Sequence, residues 1–109
     1  MAVLPDEIKR QALAATHTLA RLGNIRAAYV FGSQVDGRAD RWSDIDVAAF
    51  LEGIENWDIE LRANAMVQVM EEVGWNVEAH IFPASSYENP PKASFAEYIL
   101  KHGVRIVEP

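Results

Sequence analysis

The sequence predicts an α/β domain in which a β-sheet is flanked by helices. Helical and strand-like segments of similar length alternate along its 109 residues, a length typical of one domain. Half of the residues are hydrophobic and 24% are charged, as in an ordinary soluble globular protein. No repeat, low-complexity tract or long linker interrupts the pattern, so we expect residues 1–109 to form a single domain.

The first two predicted elements are a helix and a buried strand. We predict the helix over residues 5–22, where apolar residues recur at helical spacing. Asp6 and Glu7 suit its first turn, and Gly23 is a typical stop. Residues 25–31 (IRAAYVF) are rich in strand-forming side chains and lie between Gly-Asn and Gly-Ser pairs, which predicts a strand buried on both faces.

A polar loop separates this strand from the remaining elements. Residues 44–51 (DIDVAAFL) predict a second strand, and apolar residues at helical spacing predict a helix over residues 55–73. Residues 75–82 (WNVEAHIF) alternate in the manner of a third strand. A short helix is predicted over residues 94–102, and a last short strand over residues 104–107.

The charge balance argues against one class of partner. The chain has 16 acidic and 10 basic residues, for a formal net charge of −6. A protein that binds free DNA or RNA usually carries a basic surface, so we expect no free nucleic acid as the main partner. The absence of cysteine excludes disulfides, thiolate metal sites and a cysteine nucleophile.

The sequence gives no indication of a membrane or of export. No apolar run approaches the roughly 18–20 residues that span a bilayer. The N-terminal residues MAVLPDEIKR lack a basic region followed by an apolar one, which is the pattern of a secretion signal. We therefore expect a cytoplasmic protein without a membrane partner.

The first candidate functional feature is the pair Gly32-Ser33 at the end of the first predicted strand. Glycine lets the backbone approach a phosphate closely, and successive N–H groups of a turn can bind an anion. The serine adds a hydroxyl donor. A Gly-Ser pair after a strand is also a common turn sequence, so the pair alone leaves both interpretations open.

Acidic residues on the next two predicted strands form the second and third features. Asp44 and Asp46 lie two residues apart in a strand, so both side chains project from one face, about 6.5–7 Å apart. Glu78 lies on the polar face of the following strand. Carboxylates that share a face are costly unless they are solvated or bridged by a cation such as Mg²⁺. A solvent-facing acidic edge is the alternative interpretation.

The spacing of these features resembles a known family. Gly32-Ser33, ten further residues, Asp44-x-Asp46 and an acidic residue on a later strand are similar to the nucleotidyltransferase superfamily typified by DNA polymerase β. The string FGSQVDGRADRWSDIDVAAFL resembles the signature of its minimal members, the MNT-type proteins, and the resemblance covers nearly the whole chain. It implies a polymerase β-like nucleotidyltransferase fold, with a mixed β-sheet flanked by helices.

The resemblance also implies a reaction and its residues. Asp44, Asp46 and Glu78 would be the catalytic and metal-binding residues, holding two Mg²⁺ ions that Asp46 bridges, with Glu78 as candidate general base. Gly32 and Ser33 would hold the β- and γ-phosphates of ATP. The implied reaction transfers a nucleoside monophosphate, most simply AMP from ATP, to a hydroxyl group and releases pyrophosphate.

Residues of the loop before Asp44 have open roles. Ser43 is common at this position in the family, and it either orients the aspartate or closes a turn before the strand; we favour the turn. Ser43 and Arg41 are included among the candidate nucleotide-binding residues. The family often carries several basic residues in this loop, whereas here Arg38 and Arg41 alternate with acids, so both arginines are phosphate ligands or solvated loop charges.

Four ring-bearing residues have alternative roles as well. His80 shares the face of Glu78 in the third strand and lies either at the rim of the site or in an ordinary strand position. Trp42 is a candidate neighbour of the nucleotide base. Trp57 and Trp75 are predicted to lie in the core.

A partner protein follows from the resemblance. We expect a domain of this length to have its acceptor brought by another protein. MNT-type proteins usually pair with a HEPN-type helical protein, which acts as the toxin, and the antitoxin adenylylates one of its tyrosines. The alternatives are an antibiotic-type small-molecule transferase that needs a helical partner subunit, and a non-catalytic module that neutralises a partner by contact. A homodimer is a further expectation. Residue types alone identify neither the acceptor nor the base.

Overall fold

The computed structural model describes residues 4–40 and 43–107. Helices and strands follow one another in this order: α1 (Asp6–Ala20), β1 (Asn24–Phe31), α2 (Ser33–Asp36), β2 (Ile45–Glu52), α3 (Ile59–Glu72), β3 (Val77–Pro83), α4 (Ser85–Glu88), α5 (Phe95–His102) and β4 (Val104–Val107). Each predicted helix and strand is found within a few residues of its predicted bounds. The single-turn helices α2 and α4 lie in segments that the sequence analysis treats as loops.

The start of α3 illustrates how a single side chain sets a helix boundary. The apolar spacing predicts a start near residue 55, but the helix begins at Ile59. The preceding residue, Asp58, has extended backbone geometry, and its carboxylate accepts the Leu61 N–H at 2.8 Å. Because an N-cap carboxylate satisfies an N–H group that has no partner within the helix, Asp58 fixes this boundary.

Within the described residues the strands form one mixed sheet in the order β3-β2-β1-β4. β1 pairs antiparallel with both β2 and β4, whereas β2 and β3 are parallel. The central strands β1 and β2 are largely buried on both faces, as the apolar run in residues 25–31 predicts. The mixed sheet confirms the predicted fold class. It places the end of β1 next to the start of β2, which in turn lies beside the start of β3.

Helices cover both faces of the sheet. α1 and α3 pack on the first face, where the buried core consists of Ala12, Ala15, Leu19, Val30, Ile45, Val47, Ala49, Leu51, Ile54, Ala65, Val69, Val77 and Ala79. α5 covers the second face, where the core consists of Ala27, Tyr29, Phe31, Ala48, Phe50, Ala96 and Ile99. Alternate residues of each strand thus supply the two cores, which is the pattern of a strand buried on both faces.

The two predicted core tryptophans have different environments. Trp57 packs against the first-face core, in agreement with the prediction. Trp75 is 74% exposed, so its prediction as a core residue is wrong. The reason is that β3 begins at Val77, so Trp75 belongs to the turn after Gly74 rather than to the alternation of the strand.

None of the helices in the described ranges combines the length and the apolar character needed to cross a membrane. The longest helix, α1, spans 15 residues.

Ile99→Ala is expected to lower the free energy of unfolding by about 3 kcal/mol, because it removes a fully buried side chain and leaves a cavity between α5 and the sheet. Ile59→Ala, the matched control, changes an isoleucine that is 86% exposed and should alter stability by less than about 0.5 kcal/mol. Urea unfolding followed by circular dichroism measures both. Equal losses in the two variants would contradict the packing of α5 on the second face.

A carboxylate near the end of α3 ties this helix to α1. Arg21 Nη2 lies 2.6 Å from both carboxylate oxygens of Glu72, and Thr18 and Gln68 donate to the same group at 3.1 and 2.9 Å. The hydrogen bond from Arg21, followed by that from Gln68, lowers the pKa of Glu72 to about 2. Because both partners of the ion pair are partly exposed, water screens it and its contribution to stability is modest.

Glu72→Gln is expected to remove a pH-dependent part of the stability. The pKa of Glu72 is about 2 in the folded protein against an ordinary 4.5, so its contribution is present above about pH 4.5 and is lost as the pH falls toward 2. The wild type should exceed the variant in free energy of unfolding near neutral pH, and the difference should shrink across this window. Urea unfolding at several pH values tests this, with Glu71→Gln as the control. A difference that is independent of pH would contradict the pairing.

Candidate active site

Two carboxylates and an imidazole meet where β2 and β3 begin. The parallel register pairs Asp46 with Glu78 and Ala48 with His80, so these side chains lie on the face of the sheet that α5 covers. Ligand atoms of Asp46, Glu78 and His80 all lie within 4.8 Å of one another. His80 Nε2 is 3.2 Å from Asp46 Oδ1 and 3.9 Å from Glu78 Oε1. The structure therefore brings together Asp46 and Glu78, as the sequence analysis expects.

Gly32 lies directly against this group, just after the neighbouring strand β1 ends. Phe31 pairs with Asp46 across β1 and β2, and Gly32 follows with φ of 80° and ψ of −147°, a conformation open essentially to glycine alone. A Cβ atom at Gly32 would lie 2.7 Å from Asp46 Oδ2. The backbone turn thus requires glycine, and a side chain here would displace the Asp46 carboxylate.

The Gly32-Ser33 pair opens the single-turn helix α2. The Gly32 carbonyl accepts hydrogen bonds from the N–H groups of Val35 and Asp36, each at 3.0 Å. Gln34 Nε2 donates to the backbone oxygen of Asp44 at 3.3 Å, which links this turn to the residue before β2. Ser33 and Gly32 therefore lie at the end of the sheet that carries the carboxylates, although the structure leaves their predicted role toward phosphates open.

Asp44 is not part of the cluster. It is exposed and precedes Ile45, the first residue of β2, whereas the three clustered side chains lie within strands. The prediction that Asp44 and Asp46 project from one face assumes that both belong to the strand. Because Asp44 stands one residue outside it, strand alternation does not fix the direction of its side chain. The predicted metal-binding role of Asp44 stays a prediction.

Ser43 closes a turn before β2. Its Oγ accepts the Asp40 N–H at 3.0 Å, and its own N–H donates to the Asp40 carbonyl at 3.1 Å. This arrangement supports the turn role for Ser43; nucleotide binding by Ser43 stays a prediction. Arg38 pairs with Asp36 at 2.8 Å and its side chain is 71% exposed, in agreement with a solvated loop charge. Arg41 and Trp42, the other predicted loop residues, lie outside the described residues.

His80 lies inside the cluster, which agrees with the first of its two predicted positions, at the site rather than in an ordinary strand position. Its ring is 23% exposed and lies between aromatic rings, with centroids 5.0 Å from Phe31 and 5.8 Å from Phe95. Because a carboxylate can only accept, the His80 Nε2–H donates to Asp46. The i, i+2 spacing predicts that His80 and Glu78 share a face of β3. The contact of His80 with Asp46 depends in addition on the pairing of β3 with β2.

The cluster has the composition of a divalent cation site. Asp46 and Glu78 offer carboxylate oxygens from adjacent strands, and their side chains are 23% and 42% exposed. Two like charges this close favour a bound cation, and the partial exposure leaves access for one from solvent. The residues present therefore fit a divalent metal of the kind that the resemblance implies.

A glycine turn can offer backbone N–H groups to an anion, and carboxylates on neighbouring strands offer oxygen ligands to a divalent cation. The family model described as "Polymerase beta, Nucleotidyltransferase" matches residues 14–109, and the chain belongs to this family of nucleotidyltransferases.

Solved structures support the same fold. The chain is similar to a protein of Sulfolobus solfataricus that is provisionally described as a nucleotidyltransferase, with a TM-score of 0.52 and 20% sequence identity over 76% of each chain. At this identity the likeness supports the fold alone. The search of curated proteins found no match.

Gly32→Ala should be far more damaging than Gly37→Ala, although both glycines have positive φ. Gly37 is in the left-handed helical region with open space around it, so alanine there should cost about 1 kcal/mol. Gly32→Ala adds a forbidden backbone region and the collision with Asp46, and should cost about 3 kcal/mol or more. Chemical denaturation compares the two. Similar losses would show that the contact between Gly32 and Asp46 does not constrain the site.

Proposed function

We propose that the chain is a Mg²⁺-dependent nucleotidyltransferase that moves a nucleoside monophosphate, AMP from ATP as the first choice, onto a hydroxyl group. The observation that carries the proposal is the pairing of Asp46 with Glu78 on adjacent parallel strands, beside the Gly32 turn. Converging carboxylates are costly in a protein that only binds another protein, but they are required in one that positions a cation and a phosphate.

The metal ligands proposed are Asp46 and Glu78 from the cluster, with Asp44 added from the position just before β2. Their carboxylate oxygens are the ligands that Mg²⁺ prefers. When bound, Mg²⁺ would neutralise the triphosphate and lower the pKa of the attacking hydroxyl.

The protein's own groups have separate tasks in this proposal. The bare backbone at Gly32 lets a phosphate approach closely, and the Ser33 hydroxyl donates to a phosphate oxygen. Glu78, with its side chain 42% exposed, accepts the proton of the attacking hydroxyl. The hydroxyl oxygen then attacks the α-phosphorus, and pyrophosphate leaves with the electron pair of the broken bond. His80 holds Asp46 in place through its hydrogen bond.

The acceptor that we propose is a tyrosine of a HEPN-type helical partner, with this chain as the antitoxin of a toxin–antitoxin pair. The resemblance to MNT-type proteins suggests this partner. One surface feature favours an aromatic acceptor: Phe95 and Tyr98 of α5 are 48% and 41% exposed, and the Phe95 ring adjoins His80 at 5.8 Å. An aromatic side chain from a partner can pack on such exposed rings.

Asp46→Asn is expected to reduce the transfer of label from ATP labelled in its α-phosphate by at least about 100-fold, because the amide is a poor metal ligand. The assay combines the chain, Mg²⁺ and the helical protein encoded by the neighbouring gene. Asp6→Asn, which changes an exposed aspartate of α1, is the control and should keep full transfer.

The same assay separates the alternatives. If Asp46→Asn still neutralises the partner and no label moves even with the wild type, the chain is a contact-only module. If label moves to a small hydroxyl compound and not to the partner, the acceptor class is wrong while the site stands. Full transfer by Asp46→Asn would overturn the site.

A further inference from the structure

We propose that His80 is a direct metal ligand and that Asp46, Glu78 and His80 form a nucleotide-independent site for a divalent transition-metal ion such as Zn²⁺ or Co²⁺. This inference deepens the proposed function, since it rests on the same two carboxylates, Asp46 and Glu78. It assigns to the site a cation class other than Mg²⁺, and it gives the imidazole a role beyond its hydrogen bond to Asp46.

The distances from the His80 nitrogen to the two carboxylates approach those found around one ion. Ligands about 2.1 Å from a metal, at angles between 90° and 110°, lie about 3.0–3.4 Å from each other. His80 Nε2 and Asp46 Oδ1 are 3.2 Å apart, and Nε2 is 3.9 Å from Glu78 Oε1. One ring nitrogen thus faces both carboxylates. All three ligand atoms lie within 4.8 Å of one another, so the half-exposed Glu78 side chain has to move closer for the three to share one ion.

The surroundings hold the imidazole in this position. The Phe31 and Phe95 rings meet its edge or face at interplanar angles of 64° and 85°, and β3 fixes its backbone beside Ala48 of β2. Oδ2 of Asp46 is turned toward Gly32, which leaves Oδ1 toward His80. A ligand set whose members are already oriented loses little conformational entropy when it binds an ion.

The donor set determines which ions are favoured. Mg²⁺ requires oxygen ligands in near-octahedral geometry and keeps several waters, whereas an imidazole nitrogen suits Zn²⁺, Co²⁺ and related ions. Zn²⁺ takes histidine nitrogen and Asp or Glu oxygen as ligands, and partial exposure of all three side chains leaves room for water as a further ligand. Neutral histidine can carry its proton on Nδ1, which leaves Nε2 free for the metal.

A purely positioning role for His80 makes a different prediction. If His80 only holds Asp46 by a hydrogen bond, its loss weakens every cation that Asp46 binds to a similar degree. If Nε2 is a ligand, its loss weakens Co²⁺ and Zn²⁺ selectively. The ratio of Co²⁺ affinity to Mg²⁺ affinity therefore separates the two roles, and His80→Gln suits the comparison because its amide can still donate to Asp46.

The experiment titrates the untagged, nucleotide-free chain with Co²⁺, followed by its visible absorption, and with Mg²⁺ and Zn²⁺ by calorimetry. We expect one Co²⁺ per chain, and we expect His80→Gln to raise the Co²⁺ dissociation constant at least tenfold while the Mg²⁺ constant changes less than twofold. Glu78→Gln should also weaken Co²⁺ binding at least tenfold. His17→Gln and His102→Gln, which alter the chain's other two histidines, should bind as the wild type does.

Two results would overturn the inference: unchanged Co²⁺ affinity in His80→Gln, or equal losses for Co²⁺ and Mg²⁺. Thermal unfolding checks that each variant folds. If His80→Gln does not fold, the more exposed position is tested with Glu78→Gln. Unchanged Co²⁺ binding in Glu78→Gln would then contradict the site. The readout is independent of catalysis. If the chain binds Co²⁺ through His80 but transfers no nucleotide, the proposed function is wrong and this inference stands. If the chain transfers nucleotide but Co²⁺ binding is unaltered in His80→Gln, this inference is wrong and the proposed function stands.

Discussion

The parallel register between β2 and β3 is the constraint on which the site depends. It places Asp46 beside Glu78 and, two residues on, Ala48 beside His80. Because side chains alternate along a strand, a shift of β3 by one residue would turn Glu78 and His80 to the opposite face. The register is held by apolar packing on both faces: Val77 and Ala79 lie in the core under α1 and α3, and Phe82 stacks on Phe50 at 5.2 Å on the other face.

This packing explains how the domain tolerates an unfavourable arrangement of charge. Asp46 and Glu78 repel each other, and a carboxylate pair alone would favour separation of the strands. The strands remain paired because residues 47–51 of β2 are fully buried. The free energy gained by burying these side chains exceeds the repulsion between the two carboxylates. His80 offsets part of that cost by donating to Asp46, and the partial exposure of Glu78 offsets another part through hydration.

Periodicity in the sequence predicts most of the fold, because long apolar patterns report directly on burial. The alternation Val77, Glu78, Ala79, His80 is enough to place two polar side chains on one face of β3. The single-turn helix Ser33–Asp36 has no such pattern, because four residues are too few to show a period. Asp44 shows a related limit, since whether a residue is inside or just outside a strand decides where its side chain points. The contact of His80 with Asp46 joins residues 34 positions apart, and only the sheet pairing reveals it.

The close pairing of β1 with β2 has a consequence for how such a domain can diversify. Their ladder extends to Phe31 and Asp46, so the ends of the connecting segment are held together by the sheet rather than by the segment itself. Beyond Gly32, most of the described residues of this segment are exposed, and one side-chain contact that ties them to the strand start runs from Gln34 to the Asp44 carbonyl. Because the entropic cost of closing a loop grows only slowly with its length, insertions there cost little stability. The length and composition of this segment can therefore change over evolutionary time while Asp46 and Glu78 keep their places on the strands.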